Sequence, residues 1–207
     1  MTVEPEPPYA AELFGDHLEQ ARAFAEDLVR YGEELGLIGP LEVARLWSRH
    51  LVNSVLVAPL LRPGRVGDVG SGAGLPGLVL AIARPDAELV LIEPMERRTD
   101  WLSAEAERLG LSNVTVVRGR AEEVSPTPLL DQVTARAVSA LSKLVPLCVP
   151  LLRPGGELVL MKGARVQDEV DAAQKVLRKA GVHNPEVLVL GEGIVPEATR
   201  VFRARVD

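Results

Sequence analysis

The segment Asp68-Val-Gly70-Ser-Gly72-Ala-Gly74-Leu-Pro-Gly77 has the residue types and spacing to hold a nucleoside. Glycines between a strand and a helix let the backbone turn sharply and approach a ligand, with the helix N–H groups pointing at it. Counted from Gly72, the segment also fits the dinucleotide pattern G-x-G-x-x-G, a weak signal alone because a structural turn produces it too. The next apolar run, Leu89–Ile92, ends at Glu93, an acid placed to accept hydrogen bonds from a ribose diol. Loop and acid together point to an adenine nucleoside.

A dinucleotide domain runs from an apolar strand straight into glycine, because a pyrophosphate needs room and no neighbouring anion. Here Asp68 stands two residues before Gly70. A carboxylate there suits S-adenosylmethionine, which has no phosphate and carries a sulfonium and an amino group; NAD suits it less. Leu152-Arg-Pro-Gly-Gly-Glu-Leu-Val-Leu160 resembles the lead-in to the fifth strand of S-adenosylmethionine-dependent methyltransferases. The acceptor is narrowed by what is missing. Thr134-Ala-Arg-Ala-Val-Ser139 stands where methyltransferases of exocyclic amines carry an Asn/Asp-Pro-Pro-aromatic motif. Carbon methylation of pyrimidines needs a thiolate, and Cys148, between Leu147 and Val149 within an expected helix, reads as a buried structural residue. A ring nitrogen with a free lone pair attacks a methyl group directly and needs neither device.

Positioning these residues requires strands that alternate with helices. Residues 9–35 show apolar positions at helical spacing, with Gly36 and Gly39–Pro40 as stops, and residues 41–61 form a second helical stretch broken near Ser48. Strands are expected at Val66–Val69, Leu89–Ile92, Val114–Val117, Val133–Ala137 and Glu157–Met161. Helices are expected at Leu75–Ala83, Met95–Leu109, near Ala121, at Leu141–Leu152 and at Val166–Ala180. That alternation implies right-handed crossovers and a doubly wound, Rossmann-like α/β sheet. Glu186–Leu190 and Val201–Val206 are separated by about ten residues without a helix, too few for a usual crossover, so this pair is expected to be antiparallel. The expected architecture is a class I methyltransferase fold: a mostly parallel seven-stranded sheet with one antiparallel strand, comprising residues 63–207, preceded by an N-terminal helical cap, residues 1–62. Arg136 and Lys162 fall at C-terminal ends of expected strands, where open α/β sheets bind ligands, and are the candidate catalytic residues.

The 207 residues, 47% hydrophobic and 25% charged, suit one domain with an appendage. No apolar run approaches the roughly 18 residues of a membrane span, and the start, MTVEPEPPYAAELF, lacks the basic and apolar regions of a secretory signal. One cysteine rules out an internal disulfide and a cysteine-rich metal site. The expectation is a cytoplasmic monomer without metal or membrane association. Net charge is −6, but residues 1–42 hold ten acids against Arg22 and Arg30, which leaves the body with 21 basic and 19 acidic residues. A local phosphate-binding face is therefore open to it. Seven aromatic residues are few for generic base stacking on a single strand.

Gly70-Ser-Gly-Ala-Gly-Leu-Pro-Gly77, Glu93 followed by Arg97–Arg98, Arg118–Glu122, Ala135-Arg-Ala137 and Met161-Lys-Gly163 occur in this order. With His50-x-x-Asn53-Ser54 they resemble the ribosomal RNA small-subunit methyltransferase G family, also called glucose-inhibited division protein B, over about residues 25–165. The resemblance implies methylation at N7 of a guanine in the decoding-region loop of 16S ribosomal RNA, with the small subunit as partner. It places Gly70 and Leu75 against the cofactor, Ala121 and Glu122 beside the adenine, and Arg136 between cofactor and substrate. Gly72 and Gly74 join the cofactor loop, and Arg97, Arg98, Arg118 and His50 are the candidate RNA contacts. The family's Lys–Arg pair is Arg97–Arg98 here, its usual Asp is Asn53, and asparagines common near residues 32–36 are glycines. Plainer readings stand beside these. His50 packs between helices, Arg97 and Arg98 form a solvated face near Glu93 and Glu96, and Arg118 and Arg120 pair with Glu122 and Glu123. A small-molecule methyltransferase is the alternative function, with an adenosyl-nucleoside sensor and an NAD oxidoreductase behind it.

Overall fold

Ala21, Phe24, Ala25 and Leu28 recur at helical spacing and bury one stripe of Leu18–Tyr31 (α2), which follows a short helix, Ala10–Phe14 (α1). In the computed structural model, which describes residues 3–136 and 138–207, the chain turns back beyond α2 at Gly32, where a Cβ would run into Leu28 O and Ile38. The next stretch differs from the expected broken helix. It is a chain of short pieces: a 3₁₀ turn at Val43–Arg45, a π-helix at Leu46–Val52, one α-turn at Asn53–Val55 (α3) and a 3₁₀ turn at Ala58–Leu60. Side chains compete with the regular ladder here, since Asn53 Nδ2 donates to Arg49 O at 3.0 Å and Ser54 Oγ to His50 O at 2.6 Å.

Beyond Pro63 the alternation holds. The strands are Gly64–Val69 (β1), Ala87–Glu93 (β2), Val114–Arg118 (β3), Leu130–Arg136 (β4), Leu152–Lys162 (β5), Val182–Leu190 (β6) and Thr199–Val206 (β7). The helices between them are Gly77–Ala83 (α4), Glu96–Arg108 (α5), Leu141–Cys148 (α6) and Val166–Lys179 (α7). The sheet runs β3-β2-β1-β4-β5-β7-β6, with β7 antiparallel to both β5 and β6, so one strand opposes the rest as expected. Residues 121–123 form a turn where a short helix was expected. Ala137, the end of an expected strand, lies outside the described residues.

One hydrophobic core joins the cap to one face of the sheet: Phe14, Phe24, Leu46 and Leu51 cluster with Leu80, Leu89, Leu91 and Val159. The cap, from Ala10 to Leu61, therefore shares its core with the sheet. A polar seam reinforces the junction. Gln132 Nε2 donates to Leu60 O at 3.0 Å and to Glu157 Oε2 at 2.7 Å, while Arg62 N donates to Gln132 Oε1 at 2.7 Å. Arg203 Nε closes it on Glu157 Oε1 at 2.8 Å. The opposite face packs α6 and α7, through Leu144, Cys148, Val170 and Leu177, onto Leu158, Leu160 and Phe202. No helix among the described residues is long and apolar enough to cross a membrane.

Candidate functional site

Strand order reverses between β1 and β4, and a cavity of about 1320 Å³ opens there at the C-terminal ends of the strands. Gly70, Ser71, Gly72, Ala73 and Leu75 line one side with Glu93, Met95 and Arg98. Glu42, Arg49, His50 and Asn53 of the cap line the other, with Arg136 and Thr199 between.

Residue types dictate the loop side. Gly72 takes φ +56, which favours glycine, and aims its N–H at Glu93 Oε2, 3.0 Å away. Glu93 Oε1 accepts from Met95 N at 3.0 Å. A carboxylate offers about four lone-pair sites, so Glu93, only 2% exposed, keeps acceptor capacity toward a ligand. Arg98 Nη1 lies 3.9 Å from Glu93 Oε2, and Arg98 Nε is buried without a partner. A diol-accepting acid, an open glycine cradle and an unpaired buried donor fit an adenosyl nucleoside.

Two loop residues lie elsewhere than the sequence suggests. Asp68 is fully buried beneath the loop and outside the cavity lining; its Oδ2 accepts from Gly77 N at 3.0 Å and its Oδ1 has no partner. Burial pushes its carboxyl up to about 7, against the pull of Arg136. It anchors the turn and is not an exposed counter-charge. Gly74 is also outside the lining and packs over Leu78.

The remaining candidates divide. Arg136 lines the cavity and, among the described residues, makes one side-chain bond, from Nη1 to Arg49 O at 3.3 Å; burial pulls its guanidinium down to about 10, so it stays cationic. Lys162 reaches the rim, but its side chain is 8% exposed and its ammonium is engaged, with Ser139 O at 2.8 Å and Glu169 Oε2 at 2.8 Å. Glu169 Oε2 also accepts from Leu141 N, so Lys162 ties the segment after β4 to α7. The consecutive arginines separate, as neighbours on a helix must. Arg98 faces the cavity, whereas Arg97 is exposed, with its guanidinium over Gly36. Arg118 pairs with Glu96 at 2.5 Å outside the cavity. Ala121 is buried beside Val69, Val90 and Ile92, and Glu122 is exposed in the turn, so neither lines the cavity. That turn is still tied to the site, because Gly119 N donates to Glu93 O at 3.2 Å.

His50 is 7% exposed, and its Nε2 lies 2.6 Å from Glu42 Oε2. Burial, with Arg136 nearby, holds the ring down to about 4 against the pull of Glu42. Glu42, Arg49, Thr199 and Glu197 line the cavity without having been singled out in the sequence. Cys148 is fully buried in the α6–α7 core, its thiol pushed by burial up to about 12, and is no nucleophile. Among the described residues no group of three His, Cys, Asp or Glu is arranged to hold a metal ion.

The seven-stranded sheet with its single reversed strand and the cavity at its switch point define an S-adenosylmethionine-dependent methyltransferase of class I. Two solved structures share the fold: an S-adenosylmethionine-dependent methyltransferase of Aquifex aeolicus (TM-score 0.53, 18% identity, 98% of this chain and 95% of that one) and an S-adenosylmethionine-dependent O-methyltransferase of Thermotoga maritima (TM-score 0.55, 21% identity, 75% and 65%). The family model described as rRNA small subunit methyltransferase G matches residues 17–196. Proteins named ribosomal RNA small subunit methyltransferase G from Clavibacter michiganensis subsp. michiganensis and Leifsonia xyli subsp. xyli are each 64% identical, covering 99% of this chain and 97% and 98% of their own. One from Corynebacterium glutamicum is 47% identical, covering 96% of this chain and 91% of its own. The chain belongs to the ribosomal RNA small-subunit methyltransferase G family.

Proposed function

We propose that this protein methylates N7 of a guanine in the decoding-region loop of 16S ribosomal RNA, acting as a cytoplasmic monomer without a metal. The observation that carries the reading is the two-sided cavity: a nucleoside cradle on one side and, across it, a desolvated cation, Arg136, that a single 3.3 Å bond leaves largely free. Gly70, Gly72, Leu75 and Glu93 hold the cofactor, and the turn bearing Ala121 and Glu122, which follows the Gly119 N–H that donates to Glu93 O, closes on its adenine end. Bound there, S-adenosylmethionine supplies an electrophilic sulfonium methyl.

Guanine N7 has a free lone pair, so this chain needs no general base and no thiolate. Arg136 donates to the target base, and the cap and loop walls fix the base in line with the donor. Orientation of that kind lowers a barrier by about 7–11 kcal/mol. Lys162 acts as a positioning residue through Ser139 and Glu169, while Arg98, with Arg97 and Arg118 further out, steers phosphates. The test is incubation with methyl-labelled S-adenosylmethionine and either unmethylated 30S subunits or a metabolite pool, with the labelled base mapped. Label at a guanine N7 of 16S RNA is the expected result, and label only in small molecules would overturn it.

A further inference from the structure

A guanidinium on a long, flexible side chain is aimed only as well as its last contact is fixed. Arg136 leaves the end of β4 and rests on one acceptor, Arg49 O at 3.3 Å; among the described residues no carboxylate pairs with it. Arg49 belongs to the π-helix of the cap, and its own guanidinium is engaged elsewhere, toward Glu42 at 3.4 Å and Glu197 at 3.8 Å. Its carbonyl is held by Asn53, whose Nδ2 donates to the same oxygen at 3.0 Å. A carbonyl oxygen has two lone pairs, so these two side-chain donors fill it.

The amide of Asn53 has one workable orientation. Arg49 O can only accept, so Nδ2 must face it, and Oδ1 is left toward Thr199, whose hydroxyl donates at 2.7 Å. That hydroxyl stands further, 3.3 Å, from Asn53 O. Thr199 is 5% exposed and opens β7. The next residue, Arg200, pairs in register with Lys162 of β5, and Met161 beside Lys162 pairs with Arg136 of β4. The contacts close a ring that runs through β4, β5 and β7, then through the Thr199 and Asn53 side chains to Arg49 O, and back along Arg136. We propose that Asn53 is a positioning residue for methyl transfer: with Thr199 it sets the direction in which Arg136 points into the cavity. Without the amide, one lone pair of Arg49 O falls free, and a second N–H of Arg136 turns onto it and away from the base. The inference rests on the reading above, in which Arg136 donates to the target base.

The test is a double-mutant cycle read as kcat/KM on unmethylated 30S subunits, with the labelled base mapped. Asn53→Leu should lose about tenfold in the wild-type background, the scale of a misplaced reacting group. In Arg136→Ala, where no guanidinium remains to be aimed, the same change should cost less than about twofold. Affinity for S-adenosylhomocysteine should not move in either background. Thr199→Val should lose about threefold, as for one hydrogen bond, with the same dependence on Arg136, and Thr199→Ser, which keeps the hydroxyl, should recover most of that loss. If Asn53→Leu does not fold, the Thr199→Val cycle decides the question by itself. A residue that merely ties the cap to the sheet would cost the same factor with and without Arg136. Equal losses in the two backgrounds, or no loss in Asn53→Leu and Thr199→Val, overturn the inference and leave the guanine-N7 reading standing. Normal methylation by Arg136→Ala overturns the inference together with the role of Arg136, and absence of label at a guanine N7 of 16S RNA overturns the whole reading.

Discussion

The two sides of the cavity are built on opposite principles. The loop side is local: Asp68 to Gly77 make one turn, closed by backbone N–H groups of Gly72, Met95 and Gly77 on two buried carboxylates. The cap side is assembled over distance. Arg136 reaches Arg49 O across 87 positions, and Thr199 Oγ1 donates to Asn53 Oδ1 at 2.7 Å across 146. Backbone held by buried carboxylates is rigid and suits one small ligand in one pose. Side chains that meet only in the folded state, several of them half-satisfied, suit a large partner whose groups complete them.

The sharpest way to break this contrast is to remove Arg136, which touches both sides. Arg136→Ala should lower methylation at least tenfold with little change in thermal midpoint, because the side chain's one 3.3 Å bond contributes little to folding and its burial as a cation is unfavourable. An unfolded variant, or normal methylation, would make Arg136 structural.

Next in size is Glu93→Ala on the loop side. It removes two ribose acceptors, each worth about 1.5–3 kcal/mol when charged, and strands Gly72 N and Met95 N. Calorimetry should show S-adenosylhomocysteine bound at least tenfold more weakly. Thr199→Val, which removes the β7 hydroxyl that holds Asn53 of the cap, should leave that affinity intact and raise KM for the RNA substrate. If the two variants shift the same parameter, the two sides are one unit.

This division also explains what the sequence reveals. The alternation of strands and helices and the antiparallel final pair follow from spacing alone, and Gly72 and Glu93 are legible because a glycine loop and the acid after the next strand are local signals. Asp68 is legible as a residue but not in its direction: whether it lines the cavity or lies beneath it depends on Gly77, nine positions away. Lys162 at a strand end looks free until α7 brings Glu169 to it. Glu42 and His50 are invisible as a contact because residues eight apart on a regular helix stand about 12 Å apart along its axis, and only the 3₁₀ and π-helical path brings them to 2.6 Å.

The outer rim offers a smaller effect. Each phosphate contact adds about 0.7 to the magnitude of the salt slope on single-stranded RNA. Neutralising Arg97 and Arg98 together should flatten the slope for substrate by about one to two units without moving cofactor affinity. Arg98 alone should give most of this, since it faces the cavity, and Arg118→Ala less, since Glu96 already holds it. A slope unchanged in the double variant would make both arginines a solvated helix face.

The smallest effect separates the two sides by proton uptake. Asp68 sits at about 7 in the fold against an ordinary 3.8, so between these values the folded state holds the proton more tightly and stability falls as pH rises. His50 sits at about 4 against 6.5, so the unfolded state binds the proton more tightly and stability is lost as pH falls through that window. The two slopes oppose each other and partly cancel in the wild-type protein. Asp68→Asn keeps an oxygen for Gly77 N and offers its amide to Thr134, the register neighbour whose hydroxyl has no partner. Its thermal midpoint relative to wild type should therefore climb by about 4 °C from pH 5 to pH 8.5, the size of a 1–2 kcal/mol effect in a chain of this length. His50→Gln should gain relative to wild type in the other direction, as pH falls from 7 to 4. Parallel curves for Asp68→Asn and wild type would mean that the loop is anchored by an ionised Asp68, and the loop side would then carry a buried anion beneath its cofactor.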